Sequence, residues 1–546
     1  MPAGWVALLA FSLLLLRAWP RLFYPEVWDE DGTRNLIGFL AVGLADLLKP
    51  VNGYLIFIPK LITMLSASMS FVLYPLISTL FAWVFTVLVL VFLAKAPMHL
   101  KGGFFLALSC MLIPSDPEAF GLPLYTFWWS ALLLYALIFW GEPSKHFGLR
   151  SLLIMLSSLS SPACLATLPL FWVRALVLRK SPAELKLAIV ASFSAAMQLW
   201  TLWPIAKGGG LGLKALSSVI PAFLGSYAVG NIFPNLSWVF GLLILAYVLT
   251  GTARNASSWV LWALGYLWVA SVLMSITRVD IGNIHPVLAG PRYFFFPFII
   301  LSWFFLQLVI IDKRNWFRAL GGFFLALSIA NATPVLVRKH DDLNWLGHIS
   351  SCPHFAKYRI PVHFDGNSLL AWNIEMQGDT CAELIREDLF AGLVPKKTYP
   401  YRVLGRVTDL GPMLEKLNIP KITRISSRDW PGVDHYSSAS GHPGLPMDYE
   451  IVGSSSKRNS ESGMTTVGLE RGEQILFRTD SGSGLQRISI VGQGDAFFEK
   501  ALGASGWIVL DFSSRLLPEK FEVQFIDGGD GRGEWSAIGL KKTTPP

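Results

Sequence analysis

The sequence predicts a polytopic α-helical membrane protein that carries a C-terminal extracytoplasmic β-rich domain. Of its 546 residues, 53% are hydrophobic and only 15% are charged, whereas about 25% of the residues of soluble proteins are charged. Apolar runs of roughly the length of a membrane span recur through the first 335 residues. The remaining sequence is charged and rich in Gly and Ser, with short alternating runs. This pattern argues against a wholly soluble enzyme.

The net charge of +8 is unevenly distributed along the chain. Residues 1–335 contain 21 Lys and Arg against 11 Asp and Glu, while the rest contains 24 against 26. The positive excess therefore belongs to the apolar part, where basic residues flank membrane spans. We expect membrane lipid as a partner and no nucleic acid.

About eleven apolar segments are candidate membrane helices. They lie near residues 3–19, 71–94, 102–114, 123–141, 150–160, 162–178, 184–204, 236–252, 258–276, 293–311 and 319–335. The third and fifth are short for full crossings. The segments on either side of Ser161 and Pro162 are either two spans or one kinked span.

Basic residues in alternate loops predict the orientation, since Lys and Arg are retained on the cytoplasmic side. The basic loops contain Lys95 and Lys101, Lys145 and Arg150, Arg174 to Lys186, Arg254, and Lys313 to Arg318, and the intervening loops contain few, such as Lys207 and Lys214. We therefore expect a cytoplasmic N-terminus and an extracytoplasmic tail. The first outside loop, residues 17–60, is unusually basic for its side.

Short alternating runs near residues 474–478, 487–491, 507–512 and 521–525 predict antiparallel strands in the tail. We expect a β-sandwich at 448–546, preceded by a mixed α/β segment at 336–447. Most of its aromatic side chains should lie in the core, since aromatic residues at alternating positions usually pack inward. These aromatic residues include Trp507, Phe512, Phe525 and Trp535.

The four cysteines fall into two pairs. Cys110 and Cys164 lie in predicted spans and are interpreted as packing residues. Cys352 and Cys381 lie in the tail and either form a disulfide there or remain free. No Cys and His spacing is typical of a zinc site.

An acid loop, residues 24–34, follows the first predicted span. Glu26, Asp29, Glu30 and Asp31 place four acids in six positions of a region otherwise poor in acids. One interpretation is a hydrated loop, with Asp29 or Asp31 capping a helix that begins near Asn35. The other is a catalytic carboxylate that accepts a proton from an acceptor hydroxyl, while a neighbour orients it or holds a metal.

Three more loops are predicted on the same side: residues 52–60 with Lys60, residues 114–118 with Glu118, and residues 285–294 with His285, Arg292 and Tyr293. Arg292 is either an interfacial side chain beside an aromatic anchor or a bidentate phosphate clamp. Lys60 either assists as a point charge or faces lipid headgroups. His285 is interpreted as a loop residue.

The order of these motifs resembles the GT-C superfamily of membrane glycosyltransferases. The resemblance covers roughly residues 1–335: Asp29-Glu30-Asp31-Gly32 in the first outside loop, Gly53 to Lys60, Glu118 in the next loop, and Arg292-Tyr293-Phe294. It is nearest to a bacterial branch with a Glu-Asp-Gly motif that uses polyprenyl-phosphate-linked sugars. The resemblance thus implies a protein of the bacterial inner membrane with a periplasmic tail.

The resemblance implies roles for single residues. Asp31 or Glu30 would be the base, beside Asp29, and Glu118 a supporting acid. Arg292, Lys60 and Tyr293 would bind the donor phosphate. A divalent metal such as Mg or Mn, held by the acids at 29–31 and 118, is left open, as is the absence of any metal.

The function expected is transfer of a sugar from a polyprenyl-phosphate donor to an extracytoplasmic cell-envelope glycan, such as O-antigen of lipopolysaccharide or a capsule. The alternatives are a transporter or flippase of a lipid-linked saccharide, and a noncatalytic assembly component. A transporter would place ionisable groups inside its spans, which here contain almost no acids. The tail is expected to position the acceptor without contributing a catalytic residue.

Overall fold

A computed structural model describes most of the chain. The described residues are 2–142, 145–178, 181–202, 218–279, 281, 284–287, 290–337, 345–354, 357–362, 373–395, 402–406, 416–428, 449–453, 463–479, 486–491, 507–513, 519–527 and 536–541. Lys207, Lys214 and Trp535 lie outside these ranges.

The chain divides into two compact units. The helical unit comprises Met1–Phe23, Gly38–Ala67 and Leu76–Lys339, and the tail unit comprises Tyr24–Ile37, Ser68–Pro75 and His340–Pro546. The acid loop therefore belongs to the tail unit, although it follows the first helix in the sequence. The domain boundaries at 335 and 447 remain predictions.

Most of the helices lie in the first 335 residues. They are α1 (Ala3–Ala18), α2 (Pro20–Phe23), α3 (Ile37–Val42), α4 (Phe57–Met69), α5 (Tyr74–Lys95), α6 (Gly103–Met111), α7 (Thr126–Ile138), α8 (Phe147–Ser160), α9 (Ala163–Val173), α10 (Pro182–Leu202), α11 (Ser226–Ala228), α12 (Ser237–Arg254), α13 (Trp259–Ile276), α14 (Phe295–Ile311) and α15 (Asn315–Ala332). Each of the eleven apolar segments overlaps one of them. The sequence analysis missed α4.

Five helical segments among the described residues are long and apolar enough to cross a membrane. They are Tyr74–Lys95, Pro182–Leu202, Pro234–Arg254, Trp259–Ile276 and Pro291–Ile311. The chain is therefore a multi-pass membrane protein, while the count of eleven spans remains a prediction. The other apolar helices, such as α7 with 13 residues, are shorter than a full crossing of the hydrocarbon requires.

The segments on either side of Ser161 and Pro162 form two helices. Ser161 is extended, with φ −145° and ψ 131°, and separates the end of α8 from the start of α9. The residue before a proline is biased against the helical region, which explains where α8 ends.

The tail unit contains two further helices, α16 (Trp345–Ser351) and α17 (Gly378–Arg386), and eleven described strands. The strands are β1 (Lys357–Pro361), β2 (Asn373–Gln377), β3 (Arg402–Arg406), β4 (Ile425–Arg428), β5 (Tyr449–Gly453), β6 (Gly463–Glu470), β7 (Gln474–Thr479), β8 (Gln486–Val491), β9 (Ile508–Asp511), β10 (Lys520–Asp527) and β11 (Ser536–Lys541). β1 pairs with β2. The others form sheets ordered β4-β6-β10-β8 and β3-β9-β7-β11-β5, with antiparallel pairing throughout.

The two larger sheets pack face to face around one core. Alternate residues of β10, Phe521, Val523 and Phe525, join buried residues of the five-stranded sheet, and the rings of Phe477 and Phe525 lie 5.4 Å apart. Trp507 and Phe512 are also buried, as expected. β3 and β4 belong to these sheets although they precede residue 448, because they pair with β9 and β6.

Cys352 and Cys381 form a disulfide that links the turn after α16 to α17, with Cα atoms 5.9 Å apart. Cys110 and Cys164 are free and buried, as expected of packing residues.

Candidate functional site

The buried carboxylate of Glu118 and the partly exposed side chain of Arg292 form the centre of the candidate site in the helical unit. Glu118 Oε1 accepts a hydrogen bond from Arg292 Nη1 at 2.5 Å and another from the Tyr125 hydroxyl. Arg292 Nη1 also lies 3.2 Å from the Tyr125 oxygen. The Glu118 side chain is 3% exposed, but that of Arg292 is 38% exposed. One side of the ion pair is therefore accessible.

The loop between α6 and α7 fixes the position of Glu118. Asp116 caps the short 3₁₀ turn Pro117–Ala119, where its Oδ1 accepts the Glu118 backbone N–H at 2.9 Å. The Asp116 N–H donates to the Pro286 carbonyl at 2.9 Å. These contacts bring the 114–118 loop against the 285–294 loop, as their common predicted side requires.

Arg292 lies in the 3₁₀ turn Pro291–Phe294, directly before α14. Gly290 precedes the turn at φ +62°, a left-handed conformation that side chains rarely adopt. A Cβ atom at Gly290 would lie 2.8 Å from Cδ2 of Tyr293. The Arg292 guanidinium carbon lies 5.3 Å from the centre of the Tyr293 ring. Gly290 thus allows the close turn in which Tyr293 packs beneath the guanidinium.

Two arginines near the end of α1 stabilise the loop that carries Glu118. Arg17 donates to the carbonyls of Met111 at 2.8 Å, Ile113 at 3.1 Å and Ser115 at 2.5 Å, and Arg21 donates to the Phe120 carbonyl. Both arginines are buried. The basic excess of the first outside loop is explained in part by these structural contacts.

The guanidinium of Arg292 keeps donors available for a ligand. Among the described residues, its hydrogen bonds all use Nη1. A guanidinium has five N–H donors in a planar fork, and that fork matches two oxygens of a phosphate. The arrangement is therefore suited to an anion that approaches from the exposed side, while Glu118 and Tyr125 fix the orientation of the fork.

Lys60 lies in α4 and is paired with another residue. Its Nζ donates to Asp46 Oδ2 at 2.8 Å and to the Asp46 carbonyl at 2.9 Å, and Lys60 is 3% exposed. The turn before α4 is set by Asn52 and Gly53, both with positive φ, between the bridged residues Val51 and Tyr54. Such Asn-Gly turns are typical of tight hairpins. The role of Lys60 in phosphate binding remains a prediction.

The acid loop lies in the tail unit, where its carboxylates contact neighbouring side chains. Asp31 begins a π-helical turn, Asp31–Leu36, and its Oδ1 accepts Asn35 Nδ2 at 3.2 Å. Asp29 Oδ1 accepts the Thr33 hydroxyl at 3.3 Å. The cap position of this turn is Glu30, whose side chain makes no capping hydrogen bond. Simple capping by Asp29 or Asp31 thus does not explain the loop.

The proton affinity of Asp29 in this loop is raised. Burial raises the pKa of Asp29, and the neighbouring charges of Glu30 and Asp31 raise it further, to about 8. Asp29 and Asp31 are 4% and 1% exposed. A carboxyl group with a raised pKa in a cluster of acids is a recognised feature of proton-transfer sites.

His285 is a loop residue, as expected. Its Nδ1 accepts the Val287 backbone N–H at 3.1 Å, and burial lowers the pKa of its imidazole. Leu288 and Ala289, in the same loop, lie outside the described residues. Within the described part of the chain, no group of three or more His, Cys, Asp or Glu residues could hold a metal ion.

The sequence analysis missed Tyr125 and Asp46, which pair with predicted site residues. Tyr125 lies seven residues after Glu118 and directly before α7. Its position in a predicted outside loop, next to the start of an apolar helix, was the signal that the sequence offered. Asp46 is fourteen residues before Lys60 and is one of few acids in the first 335 residues.

Comparison with known proteins yields matching solved structures but no family assignment. No family model and no curated protein matches the chain. The cryo-EM structure of the arabinosyltransferase EmbB from Mycobacterium smegmatis matches with 12% sequence identity and a TM-score of 0.25, over 99% of this chain and 65% of that chain. This chain thus spans less than two thirds of the length of that protein. At this TM-score, neither fold nor function can be transferred to the chain.

Proposed function

We propose that the protein is an integral-membrane glycosyltransferase that transfers a sugar from a polyprenyl-phosphate donor to an extracytoplasmic cell-envelope glycan. The observation that carries the proposal is the Glu118–Arg292 pair. Arg292 Nη1 donates to the buried Glu118 carboxylate at 2.5 Å, and 38% of the Arg292 side chain is still exposed. It lies at the start of an apolar helix, where the phosphate of a membrane-embedded donor would be found at headgroup depth.

Glycosyl transfer requires a clamp for the leaving group. In the reaction the acceptor oxygen bonds to the anomeric carbon, the bond from that carbon to the phosphate oxygen breaks, and polyprenyl phosphate leaves as an anion. Arg292 binds the phosphate with its free donors, which stabilises the charge that develops on the leaving oxygen. Glu118 and Tyr125 orient the fork, and Tyr293 supports it from below.

The acceptor hydroxyl must lose a proton in the same step. The acid loop supplies the base, Asp31 or Glu30, and Asp29 is the adjacent carboxyl, whose raised pKa of about 8 favours its protonated form at neutral pH. Asn35 and Thr33 support this assignment, because their hydrogen bonds to Asp31 and Asp29 fix the carboxylates.

The β-sandwich is assigned to the acceptor. A domain linked directly to the membrane region raises the local concentration of a polymer that it binds. A truncation that tests this role must remove β3 and β4 together with the later strands. A cut at residue 448 would leave these two strands without their partners β9 and β6.

The proposal is tested with full-length protein purified in nanodiscs. It is offered a panel of polyprenyl-phospho-sugars together with cell-envelope glycans, and release of free polyprenyl phosphate is measured. We expect release from at least one donor that depends on the glycan. Translocation of intact lipid-linked saccharide across liposomes, without release from any donor of the panel, would instead identify a flippase and overturn the proposal.

A further inference from the structure

The tail unit exposes a cluster of large apolar side chains directly after α17. Leu389 is 90% exposed, Leu393 54% and Phe390 40%. We call residues 388–393 the apolar tip. Three large apolar side chains within five residues form a patch that, on a soluble domain, marks an interaction surface.

The apolar tip is hydrogen-bonded to the residues that precede a membrane span. Asp388 Oδ1 and Oδ2 accept the Ser70 hydroxyl at 2.9 and 2.8 Å, and Oδ2 also accepts the Val72 backbone N–H at 2.8 Å. Ser70 Oγ in turn accepts the Leu73 N–H at 2.9 Å. The next residue, Tyr74, begins α5.

A second element of the tail holds the same segment. The indole N–H of Trp345 in α16 donates to the Val72 carbonyl at 3.0 Å, and its ring packs edge-on against Phe71 with centroids 5.6 Å apart. Asp388 and Trp345 of the tail unit therefore both hold the residues directly before α5, which belong to the same unit. Met69, directly before Ser70, is 55% exposed.

The position of α5 in the bilayer determines what covers the apolar tip. The 22 residues of α5 have a mean hydropathy of 2.6 and form one of the five helices able to cross a membrane. A crossing helix begins at the boundary between headgroups and hydrocarbon. Because Asp388 bonds to residues two and four positions before Tyr74, the apolar tip lies at that boundary.

We propose that the apolar tip inserts into the lipid boundary around the start of α5 and anchors the tail unit to the membrane surface. Leu389, Phe390 and Leu393 are buried among acyl chains and glycerol groups. The hydrogen bonds from Ser70 and Val72 satisfy both carboxylate oxygens of Asp388, so this residue brings no unsatisfied acceptor into that region. Arg386 and Glu387, 74% and 69% exposed, form a polar rim on the water side. The proposal does not depend on the activity proposed above.

The depth of the tip is measured by electron paramagnetic resonance on the full chain. A nitroxide is attached to Leu389→Cys in a background in which the buried Cys110 and Cys164 are alanine. The protein is placed in nanodiscs of phosphatidylcholine and phosphatidylglycerol. Power saturation compares collision with oxygen, which concentrates in lipid, against collision with a water-soluble nickel chelate. Leu88→Cys, at a 61% exposed position within α5, is the lipid reference, and Glu519→Cys, exposed before β10, is the water reference.

We expect the label at 389 to favour oxygen, as at 88, while the label at 519 favours nickel. Leu393→Cys must give the same order as Leu389→Cys, which guards against a local effect of one substitution. Nickel accessibility at 389 and 393 equal to that at 519 would overturn the proposal. Shielding of both labels from both reagents, with spin–spin broadening, would overturn it in favour of contact with a second copy of the chain.

Discussion

Two clusters of ionic side chains lie at opposite ends of α7, and they differ in accessibility. Tyr125, directly before α7, contacts the Glu118–Arg292 pair, while Ile138, at the end of α7, accepts a hydrogen bond from Arg174. Thirteen helical residues separate the two ends, about 20 Å at 1.5 Å per residue. Accessibility thus distinguishes charges that stabilise the fold from charges that can bind a ligand.

The cluster at the far end is closed. Glu184 Oε1 accepts Arg150 Nη2 at 2.8 Å, and Glu184 Oε2 accepts Arg174 Nε at 2.8 Å. Arg174 Nη1 donates to Ile138 O at 2.6 Å. The three charged side chains are 1–3% exposed, so no ligand reaches them. This triad joins α7, the start of α8, the end of α9 and the start of α10.

The cluster at the near end is open on one side. Glu118 is as buried as Glu184, but its arginine partner is 38% exposed and uses only one nitrogen in the described contacts. A partly solvated guanidinium can add a phosphate to its contacts without losing its carboxylate. The difference in exposure, and not the presence of an ion pair, therefore identifies the candidate ligand site.

The largest expected effect comes from making the same substitution in both clusters. Glu184→Gln removes the buried carboxylate charge that Arg150 and Arg174 share, and breaking a buried pair in this way costs about 3–5 kcal/mol. Glu118→Gln keeps Arg292 partly solvated and should lower the free energy of unfolding much less. Thermal unfolding in nanodiscs measures both variants, and equal losses of stability would remove the distinction between closed and open clusters.

The next effect concerns the acid loop. Asp31→Asn and Glu30→Gln keep size and most hydrogen-bonding capacity but remove the charge, so transfer should fall by roughly 10² to 10⁴, as expected for loss of a general base. Turnover is measured as polyprenyl phosphate released. Asp379→Asn, at an exposed position of α17, serves as the matched control and should retain full turnover. Unchanged turnover in both acid-loop variants would assign the loop a structural role.

A smaller effect is expected from exchanging the cation at the open cluster. Arg292→Lys keeps the charge but loses the planar fork, and hydrogen bonds to charged groups contribute about 1.5–3 kcal/mol. Transfer should fall by roughly 10- to 100-fold while expression and unfolding temperature stay near wild type. Arg386→Lys, at an exposed helix end, is the control and should be neutral. A neutral Arg292→Lys would mean that the fork geometry is not used.

The last effect is the pH dependence introduced by Asp29. Its pKa is raised to about 8 in the folded protein from an ordinary value of 3.8, so the folded state holds a proton that the unfolded state releases. Its contribution to stability is fully present below about pH 4 and is lost as the pH rises to 8. Asp29→Asn should therefore gain unfolding temperature relative to wild type across that range. A difference between the two proteins that does not change with pH would contradict the raised pKa.

The sequence predicted much of the fold because hydrophobic pattern dominates it. Apolar runs located the helices, and alternation located β7 to β10. It missed α4, since α4 carries Lys60, whose charge interrupts the apolar run, and it located none of β1 to β4 individually within the segment expected to be mixed α/β. The pairing of Cys352 with Cys381 required coordinates, because spacing does not determine connectivity.

The residues of the candidate site were predicted from the sequence, but the contacts between them were not. Glu118 and Arg292 are 174 positions apart in sequence, and only folding brings them together. Sequence spacing likewise did not indicate that Lys60 pairs with Asp46. It also did not indicate that Arg150 and Arg174, which were interpreted as loop residues, are buried and bonded to Glu184. The predicted orientation in the membrane used these two arginines and remains a prediction.

The central claim is that Arg292 binds the donor phosphate, and donor binding tests it most directly. A non-transferable polyprenyl-phospho-sugar analogue is titrated into wild type and Arg292→Ala in nanodiscs, together with Arg386→Ala as control. We predict that affinity falls at least tenfold in Arg292→Ala, as loss of a charge-assisted hydrogen bond requires, and stays unchanged in the control. Equal affinity of wild type and Arg292→Ala, with both proteins folded, would contradict the claim.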